Sequence, residues 1–340
     1  MTVMNVRRLI PTATVAGAVT LGLTALSACS ASDAADGSNG GKLKVTASFY
    51  PMQFLAERIG GEHVAVTSLT KPGVEPHDLE LTPRQIGSIS DSDYVLYLKG
   101  IQPAVDDAIK QSGVKNTVDA ATLTTLENHG AQVSGHDHEG EEEHGHEGEE
   151  AHGEHEEGDG HNHGEEGGAD PHIWLDPVKY AEVAKGVGKS LQKADPDHAA
   201  DYARNTTALV DELGALNTAF ETGLKNTATR TFITTHSAFG YLAERYGLTQ
   251  EGIAGVDPEA EPSPARIQEI HTVAEKSGAT TVFFETLASD KTARTLAKDT
   301  GLKTGVLDPL EGITGKSKGA DYTEVMESNL AALQKALGAK

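Results

Sequence analysis

Two similar open α/β domains joined by a long rigid helix are the fold class predicted for this 340-residue chain. Three observations predict it. Short apolar strand patterns alternate with helical ones in both halves. An unbroken helical pattern covers 198–224 between them. After the first 28 residues are set aside, about 300 remain, near the size at which one core divides into two.

The chain opens with a processing signal. Arg7 and Arg8 precede a mostly apolar run at 9–26, and small residues follow, the pattern of a secretory signal rather than of a membrane span. It ends in Leu26-Ser27-Ala28-Cys29, which resembles a bacterial lipobox. Residues 1–28 are therefore predicted to be a signal peptide, and Cys29 the lipidated residue that anchors the protein to the outer face of the cell membrane. The paired arginines leave a twin-arginine export route open beside the general one. Cys29 is the only cysteine, so disulfides and thiolate metal sites are excluded, and any metal must be held by His and carboxylates. Residues 29–41 are small, polar and Gly-rich, a flexible tether.

The folded region begins with a strand at 42–48, followed by a helix at 51–59, a strand at 63–69, a short helical stretch and a strand at 94–98. These belong to an N-terminal domain at 42–197, which closes with a helix at 177–193 and the break Asp195-Pro196-Asp197. The long helix, 198–225, carries Leu209, Leu213, Leu216 and Phe220 at spacings of three and four. At 1.5 Å per residue it spans roughly 40 Å, more than one small domain needs. The C-terminal domain, 226–340, repeats the alternation. Strands are predicted at 231–235, 252–256, 280–284 and 303–307, with helices at 237–246, 264–276, 291–300 and 322–337.

One segment breaks the pattern. Residues 127–168 hold His129, His136, His138, His144, His146, His152, His155, His161 and His163 among Glu and Gly, with almost nothing apolar. Such a segment cannot bury enough surface to offset its ordering entropy and reads as a disordered insertion. Its imidazoles are mostly neutral at pH 7, and the interleaved carboxylates concentrate cations, so it reads as a weak, multi-site auxiliary metal loop. The fourteen acidic residues of 136–166 account for 14 of the 23 net negative charges, leaving −9 elsewhere. An acidic chain of this kind is a poor partner for nucleic acid.

Four residues combine metal-ligating chemistry with a position in a loop that follows a strand. They are His77 in Glu75-Pro76-His77-Asp78, His172 in Asp170-Pro171-His172, His236 directly after 231–235, and Asp308 directly after 303–307. In open α/β sheets ligands collect at the carboxyl ends of strands, and three imidazoles with one carboxylate suit tetrahedral Zn²⁺. Position alone does not select the three histidines of this set from the fifteen in the chain, because a His after a strand also serves as a cap or a surface residue. By that standard His63, His198 and His271 read as surface or helix residues.

The motifs at 73–78, 170–177, 235–241 and 307–310 resemble, in order and spacing, those of the metal-binding solute-binding lipoproteins of ABC importers (cluster A-I), the zinc-type branch above all. The resemblance runs over essentially all of 42–340. It implies two α/β domains with the metal in the cleft between them, and His77, His172, His236 and Asp308 as ligands. At the fourth position Asp308 either ligates or orients a water, with Glu75 and Glu285 as alternatives. A His at the third position, where manganese-type members carry Glu, favours Zn²⁺. The implied function is high-affinity zinc capture by a monomer and delivery to an ABC permease driven by a cytoplasmic ATPase, with Zn²⁺ as cargo and no enzymatic activity. The rivals are another divalent-metal protein, a surface adhesin or metal buffer, and a zinc hydrolase, for which the chain carries neither an HExxH helix nor a nucleophile elbow.

Overall fold

Apolar runs such as Tyr94-Val95-Leu96-Tyr97 and Thr281-Val282-Phe283-Phe284 fit strands covered on both faces, as parallel sheets are. In the computed structural model, which describes residues 41–129 and 169–340, they form the centres of two four-stranded parallel sheets. The first sheet has the order β2-β1-β3-β4, made of β1 (Leu43–Ala47), β2 (Val64–Ser68), β3 (Tyr94–Tyr97) and β4 (Thr117–Asp119). The second repeats that order as β6-β5-β7-β8, with β5 (Thr231–Thr234), β6 (Thr249–Gly252), β7 (Thr281–Phe284) and β8 (Lys303–Val306).

Strand alternation divides the core. Val45 and Leu96 face α1 (Tyr50–Gly60), packing with Leu55 and Ile59, while Val95 faces Ile89 of α2 (Pro83–Ser90) and Val105 of α3 (Pro103–Ser112). In the second sheet Ile233 and Val282 pack on Ile270 of α7 (Pro264–Ser277) and Leu296 of α8 (Lys291–Thr300). Phe232 and Phe283 face the other way, into the cluster that holds Leu242 of α6 (Gly240–Arg245) and Leu333 of α9 (Tyr322–Leu337).

Local signals start and stop these helices. Pro occupies the first turn of α1, α2, α3, α7 and α4 (Pro177–Ala194), where its missing N–H costs nothing. Thr82 and Gln85 form a reciprocal capping box on α2, and Asp176, Ser263 and Asp321 cap α4, α7 and α9.

Helix α5 (Ala199–Gly223) runs between the two sheets in sequence. Its buried residues Tyr202, Thr206, Leu209, Leu213, Leu216 and Phe220 alternate spacings of four and three, a continuous stripe. That stripe lies in one apolar cluster with residues of both sheets, so the two lobes share a core. Directed bonds add to it. Trp174 Nε1 donates to Pro309 O at 2.7 Å, Tyr322 OH to Trp174 O at 2.6 Å, Tyr241 OH to Asp170 O at 2.7 Å, and Arg245 pairs with buried Asp176 at 2.7 Å.

The sequence reading differs from the structure in four places. The strand expected at 252–256 lies earlier, at Thr249–Gly252, because β6 is an edge strand whose half-exposed position accepts Thr, Gln and Glu. The helix expected from 237 starts at Gly240, since Ser237 is held as loop by Ala254 O and Gly255 O. Helix α3 and strand β4 are additions that the sequence reading lacks. Residues 127–129, expected in the disordered insertion, pack against the body. Cys29, the signal, the tether up to residue 40 and His136 to His163 lie outside the described residues.

Candidate metal centre

Three tripeptides of one kind build the site's loops. In Glu75-Pro76-His77, Asp170-Pro171-His172 and Asp308-Pro309-Leu310 the acidic side chain accepts the backbone N–H two residues on, at 3.2, 2.9 and 2.9 Å. The fixed φ of proline makes this local turn inexpensive. Asp176 to Val178 and Asp257 to Glu259 repeat it elsewhere, at 2.8 and 2.9 Å.

His77 follows β2, His172 follows the Asp170 turn, and His236 stands two residues beyond β5, its carbonyl fixed by Thr234 Oγ1 at 2.6 Å and Gln250 Nε2 at 3.0 Å. The structure brings the three imidazoles together, with ring centroids 5.6 to 6.4 Å apart. The carboxylate among them is Glu311. Its Oε1 lies 3.4 Å from His77 Nε2, 3.3 Å from His172 Nε2 and 3.3 Å from His236 Nε2. Four ligands about 2.0–2.1 Å from a zinc ion are separated by roughly 3.3–3.4 Å along the edges of their tetrahedron. The three distances that meet at Glu311 Oε1 have that length, and Glu311 is the residue shared by two groups of donor atoms, one with His77 and His172 and the other with His236 and Glu285.

The outer shell fixes which nitrogen is available. Asp170 Oδ1 lies 2.8 Å from His172 Nδ1, and Glu285 Oε1, at the end of β7, lies 2.7 Å from His236 Nδ1. An ionised carboxylate only accepts, so in the neutral ring each Nδ1 carries the proton and each Nε2 presents its lone pair inward. The Nε2 atoms of His172 and His236, both buried, have no hydrogen-bond partner, and neither has Glu311 Oε2. His77 is the partly exposed member, 11% accessible against 0–2% for the other two, and marks the open side.

Burial alone would strip the proton from His172 and His236. The pairing of His172 with Asp170 and Glu311, and of His236 with Glu285 and Glu311, outweighs it and raises both above the usual imidazole range. Glu311 is buried too, yet the three imidazoles hold it well below the usual carboxylate range. Burial and the nearby Glu311 push Glu75 up to about 9.

Asp308, expected among the ligands, is not in either histidine–carboxylate group at this centre. Its oxygens serve the loop. Oδ1 accepts from Leu310 N, and Oδ2 accepts from Thr286 Oγ1 at 3.0 Å, while its backbone pairs with Asn329 at 2.9 and 2.7 Å. The turn leads to Leu310, the one non-glycine residue with positive φ among those described (59°), and the reversal delivers Glu311 to the imidazoles. The sequence reading does not name Glu311, the carboxylate that lies among the imidazoles. The recurring acid-Pro-X turn was the available signal, because it commits the first carboxylate to the backbone and leaves the next acidic residue free. Of the two alternatives named beside Asp308, Glu285 orients His236 and Glu75 holds the His77 turn. His63 and His198 stack on each other at 3.9 Å and pair with Asp201 and Asp195, away from this centre.

Comparison with known proteins follows the same lines. A family model described as the periplasmic zinc-uptake complex component A matches residues 45–336. The chain is 38% identical over 302 residues to a zinc-binding protein AdcA of Streptococcus pyogenes, which covers 86% of this chain and 56% of that relative. The chain thus spans little more than half of the length of the streptococcal relatives it matches. The high-affinity zinc uptake system protein ZnuA of Bacillus subtilis is 36% identical over 303 residues, covering 88% of this chain and 89% of its own length. Among solved structures, Zn(II)-bound AdcA of Streptococcus pneumoniae superposes with a TM-score of 0.69 at 30% identity, over 88% of this chain and 59% of that one. A laminin-binding protein Lmb of Streptococcus agalactiae, described as having adhesin and metal-transporting activity, gives 0.71 at 28% identity, over 87% and 99%. The motif order, the paired parallel sheets and the family match agree, and the chain belongs to the family of the zinc-uptake complex component A.

Proposed function

We propose that this protein captures Zn²⁺ outside the cytoplasm and hands it to an ABC-type permease powered by a cytoplasmic ATPase. The observation that carries this reading is the set of three Nε2 atoms from both lobes around Glu311 Oε1, at 3.3 to 3.4 Å. His77, His172, His236 and Glu311 are the proposed ligands. Three imidazoles and one carboxylate suit zinc better than manganese, which prefers oxygen-rich sites. Four protein ligands fill a tetrahedron and leave no position for an activated water, which favours capture over hydrolysis.

Ligands from both lobes make occupancy and lobe closure one equilibrium. The shared core along α5 favours small rearrangements around His77 over wide hinge opening. Cys29 in its lipobox, and the lipoprotein name of the pneumococcal relative, support anchoring to the membrane. A monomer suffices, since one chain supplies all four ligands.

Zinc titration against a chromophoric chelator tests capture. Wild-type protein is expected to outcompete the chelator and His236→Ala to lose that ability; tight binding that survives the substitution refutes the ligand set. Radioactive zinc uptake at low supply tests delivery, and unchanged uptake in cells lacking the protein refutes it.

A further inference from the structure

Behind His172 the structure holds a second group with metal-ligating chemistry, Glu127, His129 and Glu244. His129 Nε2 contacts Glu244 Oε2 and lies 3.6 Å from Glu127 Oε2. On its other side His129 Nδ1 lies 3.3 Å from Asp170 Oδ2, an oxygen of a fully buried side chain with no hydrogen-bond partner. The other oxygen of that carboxylate holds His172 Nδ1 at 2.8 Å. One aspartate therefore stands between two imidazoles, each with its Nδ1 toward Asp170 and its Nε2 toward a carboxylate of its own group, Glu311 for His172 and Glu244 for His129.

The surroundings are shaped for this. A Cβ on Gly240 would lie 2.1 Å from His129 Cβ and 2.9 Å from Asp170 Oδ2, so the glycine makes room for the imidazole. Tyr241 stacks edge-on to His129 at 4.4 Å, accepts the Glu127 N–H at 2.8 Å and donates to Asp170 O at 2.7 Å. Asp170 N donates to Glu127 O at 2.9 Å, so the two ends of the histidine-rich segment are pinned together at this group. Lys179 takes Glu127 Oε1 at 2.7 Å and leaves Oε2 on the His129 side. Glu244 is 60% exposed, and the group opens to solvent through it.

We infer that Glu127, His129 and Glu244 form a second divalent-cation site, a solvent-facing docking position at the root of the histidine-rich segment, backed onto the buried centre through Asp170. One imidazole and two carboxylates make it weaker and less selective than the three-imidazole centre. Two cations flanking one carboxylate repel each other, so the outer site fills after the inner one. The inference takes zinc as the cargo proposed above but does not depend on the inner ligand set.

The test uses the full chain with the eight histidines from 136 to 163 replaced by asparagine, and zinc itself as probe. Bound zinc is measured by equilibrium dialysis and metal analysis at free zinc far above the inner site's dissociation constant. Two equivalents are expected in this parent protein, one tight and one weak. Glu244→Gln and His129→Gln are each expected to remove only the weak equivalent, and His236→Ala only the tight one. A single equivalent in the parent, or a weak equivalent that survives both Glu244→Gln and His129→Gln, overturns the inference. A tight equivalent that survives His236→Ala overturns the inner ligand set instead, and the outer site then stands or falls on Glu244→Gln and His129→Gln.

Discussion

Glu311→Gln is the substitution that separates the geometry of this centre from the sequence-based expectation of Asp308. It keeps the side chain's shape and removes its charge. The Glu311 carboxylate is fully buried and its Oε1 lies 3.3 to 3.4 Å from three imidazole nitrogens. Zinc sites with four protein ligands carry an apparent binding free energy of roughly 10–16 kcal/mol, so one ligand accounts for roughly 2.5–4 kcal/mol. The amide oxygen retains part of this, and a loss of about 100-fold in affinity is expected. A smaller effect opposes it. Glu311 also stabilises the protonated forms of His172 and His236, and zinc must displace those protons. Removing the carboxylate lowers that competition by about 1.4 kcal/mol for each pKa unit recovered, so titration near about pH 8, where imidazole protons compete least, exposes the full loss. Asp308→Asn is the control. The amide oxygen still accepts from Leu310 N and the backbone bonds to Asn329 remain, so the loss is expected to stay near one hydrogen bond, about 1 kcal/mol or under tenfold. Chelator competition on both variants decides. If Asp308→Asn costs more zinc affinity than Glu311→Gln, the assignment of Glu311 is refuted.

Other outcomes follow from the same geometry. Asp170→Asn and Glu285→Gln each remove the negative charge of the carboxylate that orients an imidazole, and each is expected to lower zinc affinity by about 10–100-fold while leaving a site that a chelator titration still detects. The metal-free and zinc-loaded proteins are expected to respond oppositely to pH. The raised pKa of His236 stabilises the metal-free fold below the unfolded value, and that contribution is lost as pH rises through the folded value; zinc needs the unprotonated ring and binds more tightly over that same rise. The gap in melting temperature between the two forms should therefore widen from about pH 5 to about pH 8, and a gap that narrows contradicts the ligation. Trp174→Phe leaves Pro309 O without its donor between the lobes and is expected to destabilise the metal-free protein by about 1–3 kcal/mol in urea unfolding; no change would mean that the bond contributes nothing to holding the lobes.

Much of this molecule is written in local patterns. The alternation of apolar strands with helices, the stripe on α5 and the proline and acidic caps are short-range physics, and they specify two parallel α/β sheets and the helix between them. That Cys29 is the only cysteine settles by composition that a metal must be held by histidine and carboxylate, and the resemblance of the motifs around His77, His172 and His236 to those of zinc-type solute-binding proteins, not their positions alone, singles out three imidazoles that the fold brings near one another. The carboxylate is different. Asp308 and Glu311 stand three residues apart in one loop, and no pattern along the chain says which one faces the imidazoles. That depends on a side chain closing its own turn, on Leu310 at a φ of 59° and on Trp174 reaching from the other lobe to Pro309 O. The same holds for Asp170, whose two oxygens serve imidazoles 43 positions apart, His129 and His172, on either side of the histidine-rich segment. Residue type and local turns are properties of neighbours in sequence, whereas the direction in which a buried carboxylate points is fixed by atoms that only the folded chain brings near.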